Sequence, residues 1–545
     1  MRPAGAAAAR GGRLRRRLVS GIPDDPPADR VMDAAAGANP AGERTVTRQR
    51  VFSSVVWTAA QSWGTQLISL ATFLLLARLL PPTAFGLVAM AGLYVTISTI
   101  LVDQGLSAAV IQREDLEPEH LDTAFWMSVA VGLCLTAAGV LLARPLAALF
   151  KEPRLAPVVA LLSFNFVLAS LSGVQDALLR RNFRFRLLAV RTLLAGAGGG
   201  VVAVGMAVAG WGVMSLVAQQ LATSVLGVAT LWAASGWRPG LRVSGRHARE
   251  LWGFGVSVVG TRLLGAVTRR SDDFLIGLFL GAGALGYYTV AYKIFSILGE
   301  VFTKIISRVA LPAFAAMQNR GAELAAAFGN AVRLTSLLTL PSFAALGVLA
   351  PAVVPALFGP RWAPSVPVMQ MLTVAGALQC LYPLSIQAMV ARGKPSWTFW
   401  VLLAGTVPSV VGFLLVVDRG IAAVAAVYSL VNLLLLPLHL HILRRLIGFR
   451  PADLLRAVRT PLLATAAMLA VLAALRFGTA PLLASRAAVG AALFVAAATY
   501  ALAVHLLDPR LLGGLRAALK GRGGRGKRGA AAVPPLAASA PGRPE

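Results

Sequence analysis

About fourteen apolar stretches follow one another along this chain, each long enough to cross the hydrocarbon layer at ~1.5 Å per residue. They lie near residues 52–79, 85–112, 122–144, 154–178, 187–210, 212–234, 251–280, 285–314, 330–352, 364–391, 397–417, 420–443, 459–477 and 484–506. In lipid every backbone N–H and C=O must be satisfied internally, and helices achieve this one segment at a time. The pattern therefore predicts an all-α polytopic membrane protein. Composition agrees: hydrophobic residues make up 57% of the chain and charged residues only 13%, with a mean hydropathy of +0.73. The charges gather in short loops and two tails, as expected when a charge in lipid costs several kcal/mol.

The net charge of +29 would suit a nucleic-acid binder, but the arginines fall in alternating loops. One set of loops carries Arg180, Arg181, Arg184 and Arg186, then Arg238, Arg242, Arg246 and Arg249, then Arg392 and Lys394, then Arg444, Arg445, Arg450, Arg456 and Arg459. The opposite loops are short and poor in Lys and Arg, with Arg144, Lys151, Arg154, Arg361, Arg419 and Arg476 as exceptions. That asymmetry is the positive-inside signature, with anionic lipid rather than nucleic acid as the partner. It predicts a multi-pass protein of the cytoplasmic membrane with both termini in the cytoplasm. Residues 1–50 and 507–545 read as disordered basic cytoplasmic tails; Arg13 to Arg17 lack the apolar core of a signal peptide behind them. No loop is long enough for an extramembrane catalytic domain. Cys134 and Cys380 lie far apart in apolar spans, so neither a disulfide nor a metal framework is indicated.

Leu80, Ala84, Gly86 and Ala91 recur two hundred residues later as Leu280, Ala284, Gly286 and Ala291. Both sets sit at hairpins between spanning stretches, Leu80-Pro81-Pro82-Thr83-Ala84-Phe85-Gly86 and Leu280-Gly281-Ala282-Gly283-Ala284-Leu285-Gly286. The reading is two pseudo-symmetric six-helix lobes, residues 51–234 and 251–443. Residues 235–250 form a cytoplasmic, interfacial amphipathic linker between them. Residues 444–506 add a basic loop and two C-terminal helices. Internal duplication of this kind marks transporters, whose substrate sites lie between repeats that rock against each other.

Ionisable residues inside the spans point to where such a site would be. Span seven holds Arg262, Arg269, Arg270, Asp272 and Asp273. At 100° per residue, Arg262, Arg269 and Asp273 fall within about 40° on one helix face. Span eight carries Lys293, Glu300, Lys304 and Arg308 as a second stripe. The positions two hundred residues earlier are uncharged: Ser62, Ser69, Phe73, Leu93, Ile100, Gln104 and Ala108. Intramembrane charges face a bundle interior or a water-filled cavity rather than lipid. They could be ion pairs pinning the two spans, with Asp272, Asp273 and Glu300 in pairing or coupling roles. Yet Arg262, Arg269, Arg270, Lys293, Lys304 and Arg308 outnumber those acids by six to three, which leaves cationic surface for an anionic ligand. Arginine suits phosphate because its planar fork donates two hydrogen bonds to one group. In the first lobe, Gln61, Ser62, Thr65, Gln66, Asp103 and Gln104 offer polar positions. They suit sugar hydroxyls or interhelical hydrogen bonds equally. Arg78, closing span one, reads as snorkelling to the interface.

The chain resembles the Wzx-type polysaccharide flippases of the multidrug/oligosaccharidyl-lipid/polysaccharide (MOP) exporter superfamily. The residues that carry this are Ala77-Arg78-Leu79-Leu80-Pro81-Pro82-Thr83-Ala84-Phe85-Gly86 and Asp103-Gln104-Gly105-Leu106. In the second lobe they are Asp272-Asp273-Phe274-Leu275-Ile276-Gly277-Leu278-Phe279-Leu280-Gly281, Gly286-Tyr287-Tyr288, Ala291-Tyr292-Lys293 and Leu357-Phe358-Gly359-Pro360-Arg361-Trp362. The likeness covers roughly residues 50–450. It implies a V-shaped pair of lobes that moves a polyprenyl-diphosphate-linked oligosaccharide outward by alternating access, beside a polysaccharide polymerase and glycosyltransferases. It also implies a cationic cavity for the diphosphate, no cofactor and no catalytic residue. Three alternatives compete. A drug antiporter of the same superfamily would want an acidic or aromatic cavity. A membrane glycosyltransferase or polymerase could use Asp272-Asp273 as a metal pair but would need catalytic groups at the membrane surface. A purely structural scaffold needs no intramembrane charge.

Overall fold

The computed structural model describes residues 48–103, 110, 117–317, 320–478 and 486–509, and among them there is helix but no strand. The first half of the chain forms α1 (Arg48–Leu79), α2 (Pro82–Asp103), α3 (Pro118–Leu149), α4 (Leu155–Ser170), α5 (Gly173–Arg181), α6 (Phe185–Val208) and α7 (Met214–Ala234). The second half forms α8 (Gly245–Ala316), α9 (Gly321–Phe358), α10 (Ser365–Ala377), α11 (Tyr382–Ala391), α12 (Pro395–Val416) and α13 (Ile421–Ile447). Two further helices follow, α14 (Pro451–Gly478) and α15 (Arg486–Leu507). Prolines open α2, α3, α12 and α14, where the missing N–H is one of the helix's unpaired donors in any case.

Eleven helices are long and apolar enough to cross a membrane, or twelve if the bent α4–α5 pair is one span. The sequence suggested about fourteen. Beyond the bent α4–α5 pair, the difference has two sources. Spans seven and eight are the two arms of the 42-residue apolar segment Arg262–Thr303, which Gly281 divides and which the count takes as one. Helix α1, diluted by Gln61, Ser62, Thr65 and Gln66, is not among the eleven. Gly281 has φ 80° and breaks α8 into two arms, a conformation that costs glycine little.

The largest apolar core gathers one end of the bundle. It takes Leu76 to Ala91 from the α1–α2 turn, Ala143 to Leu162 around the α3–α4 turn, and Ala203 to Val217 around the α6–α7 turn. From the second half come Leu275 to Phe302 of α8, Phe343 to Ala375 around the α9–α10 turn, and Phe413 to Ala425 around the α12–α13 turn. At the other end the clusters stay within one half. One holds Ala310 to Phe449, and two hold residues between Val110 and Leu231. The halves are thus packed together at one end and share no described core at the other.

The two hairpins detected as a repeat meet at the joined end. A Cβ on Gly86 would lie 1.8 Å from the carbonyl oxygen of Ala282, and one on Gly286 would lie 1.9 Å from that of Pro82. Positions 86 and 282, 286 and 82 exchange under the same two-hundred-residue shift that relates the sequences. The repeat is therefore a contact pair related by a local pseudo-twofold. Aromatic rings close around it: Phe85 packs edge-on to Trp362, Phe73 to Phe358, and Phe150 to Phe274.

The connector between the halves begins without helix. Residues 235–244 are non-helical and lie against the start of α3. The Gly240 amide donates to Asp122 Oδ1 at 2.9 Å, Trp126 Nε1 donates to the Gly240 carbonyl at 2.8 Å, and the Ser244 amide donates to Thr123 Oγ1 at 3.1 Å. Side chains of α3 thus satisfy the backbone groups of Gly240 and the Ser244 amide, which have no helical partner. Helices α14 and α15 pack on α9 through Met468, Leu472, Ala492 and Ala496 against Ala345, Leu349 and Val353. Arg333 of α9 pairs there with Asp508, just past α15.

Candidate functional site

The charged residues of α8 flank the boundary between joined and parted regions. Along the first arm the shared core reaches down to Leu275. Arg269 and Arg262 lie about 18 Å and 29 Å from the Gly281 break at 1.5 Å per residue, and both are exposed. Asp273, expected on their face, is instead 7% exposed and accepts from Arg270 Nη1 at 2.7 Å. Position along the arm distinguishes them: Asp273 lies two residues from Leu275, where the shared core ends, whereas Arg269 and Arg262 lie further down the arm, beyond that core. Arg270 also touches the first half, for a Cβ on Gly92 of α2 would sit 3.7 Å from its Nη1.

Asp272, 3% exposed, faces the second arm of α8. Tyr288 OH donates to its Oδ2 at 2.7 Å and the Asp273 amide to its Oδ1 at 2.9 Å. Tyr288 stacks on Tyr292 at 6.0 Å between ring centroids, and Tyr292 meets Tyr428 of α13 edge-on at 6.4 Å. The acidic pair is thus split chemically. Asp273 has a cation, whereas Asp272 has a phenol and a backbone amide. Lys293 is half-buried within electrostatic reach of both Glu300 and Arg270, and Glu300 is exposed. Lys304 and Arg308 continue along the second arm, but their side chains lie outside the described residues.

The polar positions of the first half divide differently. Gln61 Nε2 donates to Thr192 Oγ1 of α6 at 3.0 Å, an interhelical bond inside that half. Ser62 donates to the Thr58 carbonyl one turn back. Thr65 is half-buried with its hydroxyl unpartnered, and Gln66 is half-buried. Gln104 lies outside the described residues, as does the side chain of Asp103.

Several polar contacts are not legible in the sequence. Arg191, inside an expected span, pairs with Asp176 at 2.8 Å. Its signal was the same as that of the α8 charges, an ionisable residue in an apolar run. Tyr288 and Tyr292 stood in quoted motifs, but nothing in their spacing shows which carboxylate they reach. Arg78, read from the sequence only as a basic residue reaching the interface, also donates from Nε and Nη2 to the carbonyls of Leu357 and Ala356 at 2.8 Å each. Among the described residues no group of three or more metal-ligating side chains occurs.

A family model described as "Polysaccharide biosynthesis protein" matches residues 75–367, which includes both hairpins and all of α8. The teichuronic acid biosynthesis protein TuaB of Bacillus subtilis is 25% identical over 432 residues, 78% of this chain and 88% of TuaB. The succinoglycan biosynthesis transport protein ExoT of Rhizobium meliloti is 28% identical, over 65% of this chain and 72% of its own. Among solved structures, lipid II flippase MurJ in an inward closed conformation superposes with a TM-score of 0.71 at 12% identity, over 84% of this chain and 100% of MurJ. That likeness assigns the fold. The chain belongs to the polysaccharide biosynthesis protein family.

Proposed function

We propose that this membrane protein flips a polyprenyl-diphosphate-linked oligosaccharide from the inner to the outer leaflet of the cytoplasmic membrane, for surface-polysaccharide biosynthesis. The halves 51–234 and 251–443 act as the rocking bodies, with the joined end outward and both termini cytoplasmic. A polymerase and glycosyltransferases are the expected neighbours in the pathway. The observation that carries this reading is the placement of Arg269. It is exposed about 18 Å down α8 from Gly281, near the middle of a ~30 Å hydrocarbon layer, beyond the end of the core that the halves share. A guanidinium at that depth is tolerated when it faces water or an anion between the halves, not lipid.

Arg262, Arg269, Arg270, Lys293, Lys304 and Arg308 are the groups assigned to the diphosphate. Asp273 holds Arg270 in place, and Asp272, which lacks a cation of its own, is the candidate coupling carboxylate. An exporter of cationic drugs on this fold would present acids to the cavity, whereas Asp272 and Asp273 are both buried and the exposed Glu300 lies within electrostatic reach of Lys293. The reading is tested by glycan export in cells that depend on this chain. A charge-assisted hydrogen bond is worth a net ~1.5–3 kcal/mol, so Arg269→Ala reduces export by about ten-fold or more at normal protein level. Arg269→Lys recovers part of it, returning the charge without the fork. Full export by both Arg262→Ala/Arg269→Ala and Lys304→Ala/Arg308→Ala would overturn the assignment.

A further inference from the structure

Helix α1 and helix α9 both end at the joined end of the bundle, and each leaves carbonyls there without an intrahelical donor. Each set is capped by an arginine of the other half. Arg78, in the last turn of α1, donates to Leu357 and Ala356 near the end of α9 at 2.8 Å each. Arg361, in the 3-10 turn after α9, donates back to the carbonyls of Ala77, at 2.8 Å, and Arg78. Trp362 Nε1 adds a bond to the Ala77 carbonyl at 2.8 Å. Nearly the whole core of the protein separates these residues in sequence, yet the exchange is reciprocal. Both guanidiniums also meet the negative end of a helix dipole.

The chemistry of these contacts differs from that of a permanent weld. The partners are neutral carbonyls, which water can replace when the helix ends separate, so no carboxylate is stranded without its cation. Neither arginine pairs with a carboxylate among the described residues. The apolar packing beneath, Phe85 on Trp362 and Phe73 on Phe358, is non-directional and also separable. We propose that Arg78 and Arg361 form a reversible latch, each capping the other half's helix, that holds this end shut while the opposite end is open. The proposal rests on the alternating-access reading above, but its test measures distance and not transport.

The full chain carrying Cys134→Ser and Cys380→Ser is spin-labelled at Arg154→Cys and Arg419→Cys and placed in lipid nanodiscs. Arg154 precedes α4 in the first half and Arg419 precedes α13 in the second; both are exposed at the joined end. With the latch intact, pulsed dipolar spectroscopy gives a dominant short distance. Arg78→Ala/Arg361→Ala raises a longer-distance population by about ten-fold, the equivalent of one charge-assisted hydrogen bond. Trp362→Phe keeps the ring and removes one bond, and moves the distribution the same way by less. A distribution unchanged in the double variant overturns the latch. If the double variant does not fold, an unchanged distribution in both Arg361→Ala and Trp362→Phe overturns it equally. Unchanged distances with normal flipping by the parent would remove the latch alone; absence of flipping by the parent would remove the functional reading and leave the distances to stand.

Discussion

Adding one methyl group at Gly86 or Gly286 tests whether the two hairpins form a real crossing. The Cβ of Gly86→Ala would stand 1.8 Å from the Ala282 carbonyl oxygen, 2.6 Å from its carbon and 2.9 Å from its Cα. For Gly286→Ala the nearest atom is the Pro82 carbonyl oxygen at 1.9 Å. These neighbours are backbone, so no rotamer change relieves the clash. An ordinary carbon–oxygen contact of ~3.3 Å requires the crossing to widen by about 1.5 Å. Overpacking that displaces backbone costs about 1–3 kcal/mol, which shifts a closed-to-open balance by about 5-fold to 160-fold. The spin-label pair at Arg154 and Arg419 reads the shift, and the melting temperature of the purified protein reads the cost. Gly283→Ala is the internal control, because its Cβ would meet only Thr83 Cγ2 at 3.8 Å. Both Gly86→Ala and Gly286→Ala keeping the parent's distances and melting temperature would refute the crossing. So would an equal effect from Gly283→Ala.

Arg270→Ala leaves the buried Asp273 without its cation, at a cost toward the lower end of about 3–5 kcal/mol because the Arg270 side chain is 40% exposed. Thermal melting of the purified protein should fall and recover largely in Arg270→Ala/Asp273→Asn; no fall would remove the pair from the account. Reporter fusions after Arg184, Arg246 or Arg450 should report the cytoplasm, and fusions after Gly283 or Pro360 the outer side. The reverse pattern would invert the assigned orientation.

Helix and membrane class were legible in the sequence because span length and apolarity are local properties. The repeat was legible too, through four identities at a fixed shift. Its physical meaning was not, because only the fold shows Gly86 lying on Ala282 and Gly286 on Pro82. Arg78 illustrates the limit most clearly. From the sequence it is a basic residue closing an apolar run, while its partners Ala356 and Leu357 are 278 and 279 residues away. The helical-wheel argument placed Arg262, Arg269 and Asp273 together, and azimuth alone does not say how far along a helix its neighbours remain in contact. That is why Asp273 is buried and the two arginines are exposed. Asp272 and Tyr288 meet because Gly281 folds one arm of α8 back on the other, a turn that the glycine hints at without giving its register. Gln61 needed Thr192, more than a hundred residues away, to distinguish a helix–helix bond from a sugar contact.

The central claim is that this chain moves a diphosphate-linked glycan across the bilayer through the cationic face of α8. The direct measurement reconstitutes the purified protein in vesicles loaded on the inner leaflet with a polyprenyl-diphosphate-linked oligosaccharide. A glycosidase that cannot cross the membrane is then added outside, and cleavage is followed over time. The account predicts cleavage well beyond the outer-leaflet share with the parent protein, and cleavage confined to that share with Arg262→Ala/Arg269→Ala inserted to the same level. Parent vesicles no faster than protein-free ones, or a double variant as fast as the parent, would contradict it.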